Sequence, residues 1–125
     1  MWVLVVDDSP SSIIFISEAL RSLGHSTLTC SDGPAALETL RTMEADIALV
    51  DYHMPGMNAL DFIAALRSQS GTSASETPIV VMTADASPAV AAAAQALGAN
   101  AVLHKPLGLG KLAATLDAVV SKSRR

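Results

Sequence analysis

Five short apolar runs punctuate this chain, and three of them stop on a charged or hydroxyl side chain. Val3–Val6 runs into Asp7-Asp8, Ile47–Val50 into Asp51, and Pro78–Met82 into Thr83. Ser26–Cys30 is a weaker second run, and Ala101–Leu103 a fifth, followed by His104-Lys105-Pro106. Runs of four or five β-branched and aliphatic residues with no polar alternation are the mark of strands covered on both faces. Between them lie stretches of helical period. Ser9-Pro10 opens the first, with Ile13, Ile16, Leu20 and Leu23 on one stripe and Gly24 at its end. Asp32-Gly33-Pro34 opens the second, through Leu37 and Leu40. Asn58 caps a third carrying Leu60, Ile63 and Leu66, Ser87-Pro88 starts an alanine-rich fourth closed by Gly98, and Leu109, Leu112, Leu116 and Val119 mark the fifth. Ser, Asp or Asn before proline or an apolar stripe is a helix start, and glycine after the stripe a stop. Ser68–Thr77 is a polar connector, expected to be mobile. Strand and helix alternate throughout, which specifies an α/β fold with a doubly wound, five-stranded parallel sheet.

Composition removes several classes of function. The chain has 125 residues, a single-domain length, and 50% of them are hydrophobic, which excludes a disordered chain. Three of the eight basic residues, Lys122, Arg124 and Arg125, sit in the last four positions, so residues 1–121 carry five basic against twelve acidic side chains, a balance of −7. Nucleic-acid binding needs clustered Lys and Arg, and this body would repel it. Residues 1–121 are read as the domain and 122–125 as a basic tail or the start of a linker. One cysteine, Cys30, permits no internal disulfide, which points to a reducing, cytoplasmic location. The apolar run at Met1–Val6 is too short for a signal peptide, and the alanine-rich stretch Ala89–Ala99 falls short of a membrane span of about 20 residues. Trp2 is read as an edge-strand residue.

In an open parallel sheet the ligand site lies beyond the carboxyl ends of the strands. Asp7, Asp8, Asp51, Thr83 and Lys105 all fall there. A single Asp at a strand end is ordinarily a cap or turn residue, and a single lysine a solvated charge; five such residues at one edge are a different matter. Carboxylates about 4 Å apart repel by on the order of 4 kcal/mol near a protein surface, so three of them require a proton or a cation. Carboxylate and carbonyl oxygens suit a hard cation such as Mg²⁺. With a lysine and a hydroxyl facing it, such a pocket suits phosphoryl transfer, with Asp51 as nucleophile.

These residues, in order and spacing, carry a resemblance that covers essentially the whole chain. Val5-Val6-Asp7-Asp8-Ser9, Asp51-Tyr52-His53-Met54-Pro55-Gly56-Met57, Thr83-Ala84 and Lys105-Pro106 resemble the receiver domains of two-component response regulators. The resemblance implies a flavodoxin-like (βα)5 fold with strand order 2-1-3-4-5. It implies that Asp51 accepts a phosphoryl group from a histidine kinase or a histidine phosphotransfer domain. Mg²⁺ would be held by Asp8, Asp51 and the backbone carbonyl of His53, with Asp7 acting mainly through water. Thr83 and Lys105 would contact the phosphoryl group, and Lys105-Pro106 would be a cis peptide. Phosphorylation would move the fourth and fifth helices between two arrangements and so control partner binding or a phosphorelay. Such a protein is not an enzyme toward other substrates; it catalyses only its own phosphorylation and dephosphorylation. A monomer, with dimerisation on phosphorylation as an option, is the expected state. The alternative is a receiver-like interaction module that no longer uses phosphate.

Departures from the family pattern sharpen the expectations. Val102 stands where many relatives have Tyr or Phe, so coupling is expected through backbone and loop movement. Leu107 replaces a common Phe, and Asn58-Ala59 a common Asp-Gly, which is expected to stiffen that turn. His53 should overlook the phosphoryl site and influence phosphoryl loss, with a pH dependence near its own titration. The fourth helix is almost uncharged, against the charged pairs of relatives that dimerise through it, so its alanine face is free to dock another domain or protein. His25 and His104 read as structural or solvated.

Overall fold

The protein was analysed as a computed structural model that describes residues 1–69, 71–85 and 87–123. The order is β1 (Trp2–Val6), α1 (Pro10–Ser22), β2 (Ser26–Cys30), α2 (Gly33–Thr42), β3 (Ile47–Asp51), α3 (Ala59–Arg67), a 3-10 turn (Ser73–Glu76), β4 (Ile79–Thr83), α4 (Pro88–Leu97), β5 (Ala101–His104) and α5 (Leu109–Ser123). The five strands form one parallel sheet in the order β2-β1-β3-β4-β5.

Burial explains the uninterrupted apolar runs. Along β1, Val3 and Val5 join one core layer with Ile16 and Leu20 of α1 and Leu112 and Leu116 of α5. Leu4 and Val6 join the other, with Ala36 and Leu40 of α2 and Phe62, Ile63 and Leu66 of α3. All five residues of β3 and of β4 are buried. β2 and β5 are edges and only partly covered, which is why their sequence signal is weak.

Local chemistry sets where each helix begins. Ser9 caps α1 ahead of Pro10, accepting from the Ser12 N–H. Asp32 caps α2 by accepting from the Ala35 N–H at 2.7 Å. Asn58 and Asp61 form a reciprocal capping box on α3, and Ala59 behind it is fully buried. Ser87 caps α4, which Gly98 closes at φ +114°. α5 continues to Ser123, so Lys122 belongs to its last turn; Arg124 and Arg125 lie outside the described residues.

Two expectations are corrected. Trp2 is not on an edge strand: β1 is flanked by β2 and β3, and Trp2 is half exposed because it begins the strand. The buried face of α3 is Ala59, Phe62, Ile63 and Leu66, a stripe at i, i+3, i+4 and i+7 that leaves Leu60 at its margin, half-buried against the core. The polar connector is partly regular: Thr72 caps the 3-10 turn, whose Ala74 is buried.

That connector is held by Arg67, at the end of α3. Its guanidinium donates to the carbonyls of Ser75 (2.9 Å) and Thr77 (2.6 Å), twice to the carbonyl of Gly98 (3.2 and 2.8 Å), and to Asn100 Oδ1 (3.2 Å). These acceptors are all carbonyl oxygens, and burial lowers its pKa from the usual value while leaving it a cation.

Candidate functional site

The loops at the carboxyl ends of β1, β3 and β5 converge on one pocket. Asp7 ends the fully buried run of β1 and is itself buried, whereas Asp8 turns out to solvent. Asp51, the last residue of β3, is 7% exposed. One carboxylate oxygen from each of Asp7, Asp8 and Asp51 lies within 4.8 Å of the others. Lys105, just past β5, reaches across: its Nζ is 2.8 Å from Asp51 Oδ1 and 3.5 Å from Asp7 Oδ2. The Lys105-Pro106 peptide is cis.

Electrostatics follow from this geometry. Burial raises the Asp51 pKa, the Lys105 ammonium opposes that, and the carboxylates of Asp7 and Asp8 add to it. Burial alone would lower the Lys105 pKa; the Asp51 and Asp7 carboxylates outweigh it and hold the ammonium above its usual value. Three carboxylates face one lysine, so the pocket lacks positive charge. All the side-chain donors are oxygens, which fits a small hard dication that takes one or two carboxylates and keeps several waters.

Asp7 has a structural task as well. Its Oδ1 accepts from the Ser9 N–H at 2.9 Å, fixing the turn into α1, while Oδ2 faces Lys105. The turn role and the site role meet in one side chain. Thr83, at the end of β4, is buried, and its Oγ1 accepts from the Asp85 N–H at 2.9 Å. Its carbonyl accepts from the Lys105 N–H at 2.7 Å, tying β4 to the lysine-bearing loop. Accepting from Asp85 leaves the hydroxyl its proton to donate.

His53 is exposed, its ring edge-on to Tyr52 with centroids 4.8 Å apart. With Asp8, Met54, Pro55 and Asn58 it lines a shallow cleft at the mouth of the site. The loop bearing it hangs from two buried attachments that spacing alone did not single out. Met54 is 6% exposed within the core layer beneath, and the Tyr52 N–H donates to the Met82 carbonyl at 2.8 Å. An apolar residue amid Pro and Gly was the available signal. Val102, where an aromatic was expected by resemblance, is half-buried against the α2–α3–α4 core layer.

Comparison with known proteins agrees with this geometry. The family model of the response regulator receiver domain matches residues 3–117. The sensory/regulatory protein RpfC of Xanthomonas campestris pv. campestris is 34% identical over all 125 residues, but the chain spans only 17% of that protein's length. A probable chemotaxis protein CheY of Rhizobium etli is 32% identical over 118 residues, covering 94% of this chain and 90% of that one. Among solved structures, the receiver domain of a sensor histidine kinase from Pseudomonas aeruginosa, with a magnesium ion coordinated in its active-site cleft, superposes with a TM-score of 0.86 at 26% identity, covering 96% of this chain and 97% of that one.

Proposed function

The chain belongs to the response regulator receiver domain family, and we propose that Asp51 is its phosphoacceptor in two-component signalling. The observation that carries this reading is the Asp51 carboxylate held 2.8 Å from Lys105 Nζ, with oxygens of Asp7 and Asp8 beside it. An Asp51 oxygen attacks the phosphorus of a phosphohistidine. The O–P bond forms as the P–N bond breaks, and the departing imidazole nitrogen keeps the electron pair and takes up a proton. The product is an acyl phosphate.

Asp8, Asp51 and the His53 carbonyl would hold Mg²⁺, with Asp7 acting through water because its own oxygens already serve Ser9 and Lys105. When bound, the ion offsets negative charge on the phosphoryl oxygens. Lys105 stabilises the same charge from the other side, and the Thr83 hydroxyl donates to a phosphoryl oxygen. His53, exposed at the mouth, influences how fast water removes the phosphoryl group. A His53→Asn protein with the parent's phosphoryl lifetime would remove that role.

The added charge, about −1.5 to −2, draws on Thr83 and Lys105 and so biases α4, β5 and α5 between two arrangements. The donor is a histidine kinase or histidine phosphotransfer domain in the cytoplasm. The protein is a monomer that can dimerise when phosphorylated, and it acts only on its own phosphoryl group. No helix among the described residues is long and apolar enough to cross a membrane.

Intact mass after incubation with a small acyl phosphate and Mg²⁺ tests the reading. One phosphoryl adduct is expected, lost in Asp51→Asn and with chelator. No adduct, with beryllofluoride also leaving the protein unperturbed, would overturn it in favour of a phosphate-independent interaction module.

A further inference from the structure

Gly33 begins α2 and is buried, yet its backbone does not need a glycine: the positive-φ glycines are 24, 56, 71 and 98. What it provides is room. A Cβ on Gly33 would lie 2.5 Å from Met57 Sδ, 2.9 Å from its Cγ and 3.3 Å from its Cβ. The conflict reaches the stem of the methionine, so a rotation of its far end cannot relieve it.

Met57 in turn terminates the loop that begins at Asp51. Its N–H donates to the Pro55 carbonyl at 2.9 Å across Gly56, whose φ is +81°. An i-to-i+2 bond over a residue at that φ is a γ-turn, a tight and strained one. The loop is thus a short span between β3 and the Asn58 cap, fastened at Met54 in the core and at Met57 on Gly33. His53, whose carbonyl is assigned above to the metal, lies between Asp51 and these two fastenings.

We infer that Gly33 and Met57 act together as positioning residues for the phosphoacceptor site. Met57 seats on the bare backbone of α2, and that seat holds the 52–57 loop where the His53 carbonyl can complete the metal site. Neither residue touches the reacting atoms. The inference rests on the receiver reading for the ion and for the His53 carbonyl as its ligand; the mechanical link between α2 and the loop stands on the contact itself.

A double-mutant cycle on the whole chain tests it, with the parent, Gly33→Ala, Met57→Ala and the double variant. Mg²⁺ affinity is read by titrating MgCl2 and following backbone amide shifts. Loop order is read separately, without metal, by amide hydrogen exchange at His53, Met54 and Gly56. Gly33→Ala is expected to weaken Mg²⁺ binding about tenfold, the low end of what loss of outer-shell support costs a metal site. It is also expected to speed exchange in the loop. With Met57 already truncated, adding Gly33→Ala should change either reading by no more than about twofold. Equal losses in both backgrounds would overturn the inference, because the glycine would then act through α2 alone. If Gly33→Ala does not fold, Met57→Ala, which adds no atoms, decides: unchanged Mg²⁺ affinity and unchanged loop exchange would sink the proposal. If the parent binds no Mg²⁺ and takes no phosphoryl group, the receiver reading fails, and the exchange cycle alone then decides the positioning role.

Discussion

Replacing Arg67 should unfasten one end of the fold without touching the phosphoacceptor pocket. All five N–H groups of its guanidinium are used, on Ser75, Thr77, Gly98 (twice) and Asn100. A hydrogen bond to a charged group contributes about 1.5–3 kcal/mol, but bonds sharing one side chain do not add. The bond to Asn100 is exposed, while those to Ser75, Thr77 and Gly98 are partly buried. Counting the four partly buried bonds at about half their nominal sum gives a loss of roughly 3–6 kcal/mol for Arg67→Ala. For a domain of this size that lowers Tm by roughly 12–23 °C. Arg67→Lys keeps the charge, but three donors on one nitrogen cannot span the Gly98 carbonyl and the Ser75–Thr77 pair together, so it should recover less than half. Urea unfolding at neutral pH measures both. A loss under about 1 kcal/mol for Arg67→Ala would refute the reasoning, showing that water replaces the guanidinium at these carbonyls at little cost.

Other outcomes follow from the pocket. Because burial and two neighbouring carboxylates raise the Asp51 pKa, the folded state holds that proton more tightly than the unfolded chain. Its contribution is therefore present at acid pH and lost as pH rises through the folded value, so Asp51→Asn should raise Tm at pH 7 and flatten the gain seen on mild acidification; an unchanged pH profile would contradict this. Lys105, also raised, follows the same sign in a higher window: its ion pairing is fully present at neutral pH and is lost only as pH rises through its folded value, above the ordinary ammonium range. Lys105→Met should lower stability in chelator yet tighten Mg²⁺ binding, which calorimetry would check. Mg²⁺ at ten times its Kd should stabilise the parent by about 1.4 kcal/mol and leave Asp51→Asn nearly unmoved in a thermal melt. Val102→Ala should leave the beryllofluoride-induced amide shifts of α4 intact if coupling runs through the backbone; their loss would give Val102 an active part.

The sheet and the pocket were legible because one physical rule wrote both. Strands covered on two faces must be apolar throughout, so the first polar residue after each run marks the edge where a ligand can sit. Asp7, Asp8, Asp51 and Lys105 meet there as expected. The features that escaped notice depend on groups without a sequence signature. Arg67 is satisfied mainly by backbone carbonyls, which every residue carries. Gly33 reads as an ordinary helix start, and its reason lies in Met57, 24 positions away. The α3 face was drawn too far toward Leu60 because Leu60, Ile63 and Leu66 also fit a helical stripe, and the period does not say on which side of Ile63 and Leu66 the sheet lies.

The strand order has a consequence for how the chain assembles. β1 precedes every other strand in sequence and lies inside the sheet. β2 closes one flank, β3 the other, and β4 and β5 then each add to the edge their predecessor left open. No strand waits for a partner lying later than the next one or two in the chain, so order of synthesis can serve as order of assembly. Interrupting the chain before Ala101 would leave the wholly buried β4 as an open edge, a template for pairing with another molecule. β5, short and only partly covered, is the piece whose arrival makes the growing sheet safe from its neighbours.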